Sequence, residues 1–285
     1  MRLSFTKMQG AGNDYIYLDC RQTGLPAQAA AWSRRLSARH FSVGADGIIC
    51  ICPPDLPDAD AAMRMFNADG SEGKMCGNGV RCVAEYLYTH GLARDTLQID
   101  TRAGRKVLRR LRAGFWQADM GRFSAMAADL PAVGLGAGPL AHAALTAAGK
   151  TWDAACVSMG NPHCVIEWPE AGALPTGAAL AAIGPAFEHA AAFPEQVNTE
   201  FVRVEGPARL AMRVWERGSG ETLACGTGAC ASVAAMVLRG RFARNLPVTV
   251  SLPGGELEIT VLDDDRVLMA GPAATAFTGQ AEVDG

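Results

Sequence analysis

Apolar positions along the chain follow two periods. Residues 80, 83, 84 and 87 are Val, Val, Ala and Leu, the i, i+3, i+4, i+7 spacing of one helix face, and they predict a helix that opens at Cys76. Ala229, Ser232, Val233 and Met236 repeat that spacing and predict a second helix opening at Cys225. The runs DGIICIC, AMRMFN, NTEFVRV and ARLAMRVWE predict strands, and RAGR and LPGGE predict turns between strands at corresponding places. Two further helical patterns, AQAAAWSRRLSARH and GAALAAIGPAFEHAAA, fill similar positions in their halves. Each half therefore reads as a sheet around one central helix.

The halves also repeat in sequence. NADGSEGKMCGNGVRC, from Asn67, is echoed by ERGSGETLACGTGACA, from Glu216, and an offset of 149 lays Cys76 on Cys225, Glu72 on Glu221 and Gly91 on Gly240. GAGND near the start resembles SMGNPH at Ser158 to His163. An Ala-, Gly- and Pro-rich stretch after residue 124 places the boundary near residue 123.

Composition narrows the function. With 285 residues, 49% hydrophobic and 19% charged, the chain is expected to be globular, and a formal net charge of −3 with scattered arginines offers no face for nucleic acid. A small molecule is the expected partner. No segment has the apolar length of a signal peptide or membrane helix, so a cytoplasmic protein without membrane association is expected. Nine cysteines in a reducing compartment should be free thiols, and packing suffices for Cys20, Cys50, Cys52, Cys82, Cys156, Cys164 and Cys230. Their spacings do not form the paired ligand pattern of a zinc site. The four lysines, Lys7, Lys74, Lys106 and Lys150, have no context suggesting a Schiff base, so neither metal nor organic cofactor is expected.

Cys76 and Cys225 are different because each opens a helix. The first N–H groups of a helix lack internal partners and carry partial positive charge, which welcomes a carboxylate and is expected to lower a thiol pKa. Two such thiols flanking one carbon suit inversion at the α-carbon of an amino acid, one removing a proton and the other returning one to the opposite face. Backbone donors at the substrate carboxylate would stabilise the carbanion. The same pair is exposed to oxidation to a bridge, an inactivation hazard. Glu72 and Glu221 are expected to brace their loops through backbone N–H groups.

Through KMQGAGNDY, FNADGSEGKMCGNGVRC, SMGNPHCV and VWERGSGETLACGTGACA, the chain resembles the diaminopimelate epimerase family over its full length. The resemblance implies an α+β fold of two pseudo-symmetric domains, each a mostly antiparallel β-sheet wrapped around a central helix, with the site between them. The domains would be 1–123, joined by a returning 271–285, and 124–270. It implies cofactor-independent interconversion of LL- and meso-diaminopimelate in lysine and peptidoglycan precursor synthesis by a homodimer. Cys76 and Cys225 would be the acid/base thiols, supported by His163 and Glu216. Gly77, Asn78, Gly226 and Thr227 would hold the reacting carboxylate, while Asn13, Asn67, Asn161, Asn198, Glu216 and Arg217 would bind substrate. Arg217 suits the distal carboxylate because its fork can pair bidentately. Many relatives carry a substrate-contacting Gln where this chain has Gly47, and a dimer-contact Tyr where it has Phe277.

Overall fold

A parallel strand buried on both faces reads as a continuous apolar run, and GIICIC is such a run, every residue buried. In the computed structural model, which describes residues 1–169 and 172–283, the first repeat opens with β1 (Arg2–Gly10) and β2 (Asn13–Asp19), a hairpin. Helix α1 (Ala29–Leu36) then crosses to β3 (Gly47–Cys52), which lies parallel to β2. Strands β4 (Ala61–Asn67) and β5 (Glu72–Gly73) lead to α2 (Gly77–Thr89), followed by β6 (Thr96–Asp100), β7 (Lys106–Arg112) and β8 (Phe115–Arg122).

The second repeat retraces this order. After β9 (Ala143–Ala147), the hairpin of β10 (Lys150–Ser158) and β11 (Pro162–Glu167) is followed by α3 (Ala178–Glu188) and β12 (Asn198–Gly206), parallel to β11. Then come β13 (Arg209–Glu216), β14 (Gly220–Glu221), α4 (Gly226–Leu238), β15 (Val248–Leu252), β16 (Gly255–Val261), β17 (Arg266–Pro272) and β18 (Ala274–Glu282).

Contacts divide the chain into two units, one of Met1–Asp119 with the described residues from Ala270 on, the other of Met120–Met269. Residues 284 and 285, the end of the expected returning segment, lie outside the described residues. Both boundaries fall inside equivalent strands, β8 and β17. The strand that follows each repeat therefore joins the other unit. β18 pairs antiparallel with β1 from Arg2↔Glu282 to Gln9↔Ala274, as β9 pairs with β10 from Ala143↔Ala154 to Ala147↔Lys150.

In each unit the sheet wraps one helix. Val80, Val83, Ala84 and Leu87 of α2 are fully buried, and so are Ala229, Ser232, Val233 and Met236 of α4. The two outer helices are amphipathic: α1 buries Trp32 and Leu36 beside Ile48, and α3 places Leu180 and Phe187 against Phe201, with Trp152 and Trp168 completing an aromatic cluster. The seven cysteines assigned to packing are all buried. Gly47 is closed in by its surroundings. A Cβ there would lie 2.1 Å from the Phe66 carbonyl and 2.9 Å from Tyr15 Cε1, so this backbone has no room for the Gln of many relatives.

Candidate active site

Cys76 is the N-cap of α2 in an extended conformation, and its Sγ accepts the Gly79 N–H at 3.3 Å. The half-buried thiol donates to Asn13 Oδ1 at 3.2 Å. The other end of that amide is fixed by Asp46, whose Oδ2 accepts from Asn13 Nδ2 at 2.7 Å and from the Asp14 N–H at 3.0 Å. Asp14 is bound by Lys7 and by Arg39. Burial raises its pKa, but these two cations outweigh burial and hold its carboxyl below the usual range. Within the first turn of α2, buried Asn78 accepts from Arg81 Nη2 at 2.9 Å. Arg81, fully buried, also reaches the carbonyls of Gly77 and Pro272, tying the helix start to the end of β17. Asn67 pairs in register with Gly47, next to Asp46, and is bonded through Nδ2 to Ser71 Oγ at 3.0 Å.

Cys225 occupies the equivalent N-cap of α4, and its Sγ accepts the Gly228 N–H at 3.4 Å. Thr227 Oγ1 lies 3.6 Å from the sulfur and receives Asn161 Nδ2 at 3.4 Å. Asn161 Oδ1 faces His163 Nε2 at 3.1 Å, and His163 Nδ1 meets Glu200 Oε1 at 2.7 Å in a fully buried pair. Glu216 accepts from the Thr222 hydroxyl at 2.5 Å; burial raises its carboxyl pKa, with the nearby Glu200 adding to the rise.

The lowered thiol pKa expected from the helix start is not found at Cys225. Burial first, then the charges of Glu216 and Glu200, push this thiol well above its ordinary range, against the opposing help of Thr227 and the Gly228 N–H. Half a unit of helix charge at the surface is a small effect beside loss of water around a thiolate.

The remaining expected residues hold one another. Asn198 bridges strands, donating to the Pro162 carbonyl and accepting the Arg217 N–H, both at 3.0 Å. Exposed Arg217 donates through Nη1 to the Glu195 carbonyl at 3.1 Å. Glu221 accepts a backbone N–H, that of Gly177, whereas Glu72 binds Arg64 at 2.5 Å and Arg102 at 2.9 Å in place of its own loop. Among the buried polar residues that escaped the sequence reading are Arg81, Glu188 and Glu200. Glu188 receives Trp215 Nε1 and the Gly218 N–H, both at 2.7 Å, and so supports the turn that carries Arg217. Glu200 had a readable signal, a carboxylate inside the apolar run NTEFVRV, two residues from Asn198 and hence on the same strand face.

Among the described residues, no group of three or more His, Cys, Asp or Glu is placed to hold a metal ion, and no helix is long and apolar enough to cross a membrane. The family model for diaminopimelate epimerase matches residues 5–125 and 155–276, one Cys-Gly-x-Gly motif in each segment. The chain belongs to the diaminopimelate epimerase family. It is 46% identical over 286 residues to the diaminopimelate epimerase of Synechocystis sp., covering 99% of this chain and all of that protein. The diaminopimelate epimerase of Moorella thermoacetica is 42% identical over 288 residues, with 99% and 100% covered.

Solved structures share the fold at lower identity. A hydroxyproline epimerase from Agrobacterium vitis, solved with bound trans-4-hydroxy-L-proline, superposes with a TM-score of 0.68 at 14% identity, covering all of this chain and 93% of that one. A phenazine biosynthesis protein from Bacillus anthracis gives 0.69 at 14%, covering 99% and 100%. One architecture carries differently named functions, so the diaminopimelate epimerase assignment rests on the family match and not on the fold.

Proposed function

We propose that this protein interconverts LL- and meso-2,6-diaminopimelate with Cys76 and Cys225 as a two-base pair, without metal or organic cofactor, in lysine and peptidoglycan precursor synthesis. The observation that carries the reading is that each cysteine caps the equivalent helix of a sequence repeat and accepts the N–H three residues on, in a chain of this family. One thiolate takes the α-hydrogen with its bonding electrons left on carbon. The other thiol delivers its proton to the opposite face, and the roles exchange in the reverse direction.

Charge that flows into the substrate carboxylate would be met by the N–H groups of Gly77, Asn78, Gly226 and Thr227, which preorganised donors at helix starts do well. Glu216, raised and beside Cys225, takes or returns that thiol's proton as the active form is set, with His163 in support. Asn13, Asn67, Asn161 and Asn198 bind the polar ends of the substrate, and Arg217 its distal carboxylate. The protein works as a cytoplasmic homodimer. Phe277, 48% exposed on β18 with its edge against Phe5, supplies the dimer contact by packing, without the hydroxyl that a Tyr would bring.

The test is turnover of LL-diaminopimelate in deuterated water without added pyridoxal phosphate or metal. Inverted product should carry deuterium from its first appearance, because its new hydrogen comes from a thiol equilibrated with solvent. Early product that retains the substrate's own hydrogen would defeat the two-base mechanism, and absence of inversion would defeat the assignment of substrate.

A further inference from the structure

Two buried or half-buried carboxylates each order an amide that belongs to one cysteine, and they order it in opposite senses. In the first unit Asp46 can only accept, so Asn13 presents its Nδ2 to Asp46 and its Oδ1 to Cys76. An acceptor facing the sulfur keeps Cys76 as the donating thiol. In the second unit the order runs through more groups. Asn161 Oδ1 faces His163 Nε2, which must therefore carry a proton. Asn161 Nδ2 is left for Thr227 Oγ1, and once that oxygen accepts, its own hydrogen is free for Cys225 Sγ.

The protonation of the far side of the imidazole follows from that orientation of Asn161. With Nε2 protonated, a bare Nδ1 lone pair 2.7 Å from a bare carboxylate oxygen would be repulsive, so a second proton lies between Nδ1 and Glu200 Oε1. The pair is neutral as a whole, in keeping with its complete burial. Glu200 Oε2 has no hydrogen-bond partner among the described residues, an arrangement that packing alone would not favour over an apolar side chain. The carboxyl also lies against the first turn of α4, since a Cβ at Gly228 would come within 2.5 Å of Oε1. Among the described residues, Glu216 from β13, Cys164 from β11 and Cys225 at the N-cap of α4 are titratable groups that feel its charge, besides His163.

We propose that Glu200 is a positioning residue for Cys225: it holds the proton of His163 on Nε2 and so directs the hydrogen bonds from His163 through Asn161 and Thr227 to end as a donor at the Cys225 sulfur. Each sulfur accepts one backbone N–H, and the two thiols are made unequal before substrate arrives by their side-chain partners, an acceptor at Cys76 and a donor at Cys225. This deepens the two-base reading and rests on it for the role of Cys225.

The experiment compares wild type with Glu200→Met and Glu200→Gln. Met fills the space but cannot touch the Nδ1 proton, whereas the Gln amide can donate to Nδ1 as the protonated carboxyl would. In the ligand-free protein with 15N-labelled histidine, His163 should show a protonated Nε2 in wild type and in Glu200→Gln, and lose that fixed tautomer in Glu200→Met. With diaminopimelate, Glu200→Met should lose about tenfold or more in kcat with KM changed less than about threefold, while Glu200→Gln keeps most of kcat. Wild-type kcat in Glu200→Met, an unchanged His163 spectrum in that variant, or equal losses in both variants would each overturn the proposal. The histidine spectrum needs no substrate, so failure of wild type to epimerise diaminopimelate would count against the proposed function and leave the tautomer result standing.

Discussion

The Cys225 sulfur receives one backbone N–H and lies near one hydroxyl, yet it is buried beside carboxylates that oppose its ionisation. A thiol raised above its ordinary range is thiol at neutral pH, and its thiolate appears only at higher pH. In the free protein, carbamidomethylation of Cys225 by iodoacetamide should therefore be slow at pH 8 and still rising beyond pH 9, as followed by peptide mass spectrometry; a plateau below pH 8 would contradict the burial argument. Replacing either Cys76 or Cys225 by Ala should abolish inversion in a folded protein, shown by unchanged circular dichroism. At Gly47 the expectation is steric. Gly47→Gln should destabilise by at least about 2 kcal/mol in urea unfolding without gaining substrate affinity, because its Cβ has no space beside the Phe66 carbonyl.

At the scale of elements, the helix faces of α2 and α4 and the capping cysteines could be read from the chain, because a 3.6-residue period and a repeated motif are local signals. Glu200 and Glu188 could not be paired that way. Glu200 meets His163 through the parallel register of β11 and β12, 37 residues apart in sequence, and no periodicity records which side chains that register brings together. Helix α3 shows the same limit from another side. Gly184 and Pro185 inside it run against helix propensity, and the glycine is explained only by Trp215, whose Cδ2 would be 2.3 Å from an added Cβ. Gly184→Ala, favourable by propensity, should instead cost about 1–3 kcal/mol by overpacking. Because Trp215 also holds Glu188, which supports Gly218 next to Arg217, the variant should raise KM for diaminopimelate more than it lowers kcat.

For the whole molecule, the fact that matters most is that each repeat's following strand completes the other unit. The repeat announced that two similar units exist; the destinations of β9 and β18 depend on which sheet edge each meets, and an edge is not visible in a strand's own residues. Removing residues 274–285 should strip β1 of its partner from Arg2 to Gln9 and loosen Lys7, which binds Asp14 and the Gly44 carbonyl. The truncated chain is expected to lose activity and the near-ultraviolet dichroism of an ordered core, and an unchanged melting temperature would show β18 to be dispensable. During synthesis on the ribosome the same arrangement imposes an order. Every strand of the second unit has emerged while the first still waits for its last, so the half made first is finished second. The Met1 amino group donates to the Val283 carbonyl at 2.5 Å, so the last described residue lies beside the first. A circular permutant joined there by a short Gly-Ser linker and opened between exposed Gly136 and Ala137 would run β9 to β18 and then β1 to β8. Apart from the stretch 120–136, each unit would then be one continuous run of chain, and its refolding should separate into two phases that follow the new order.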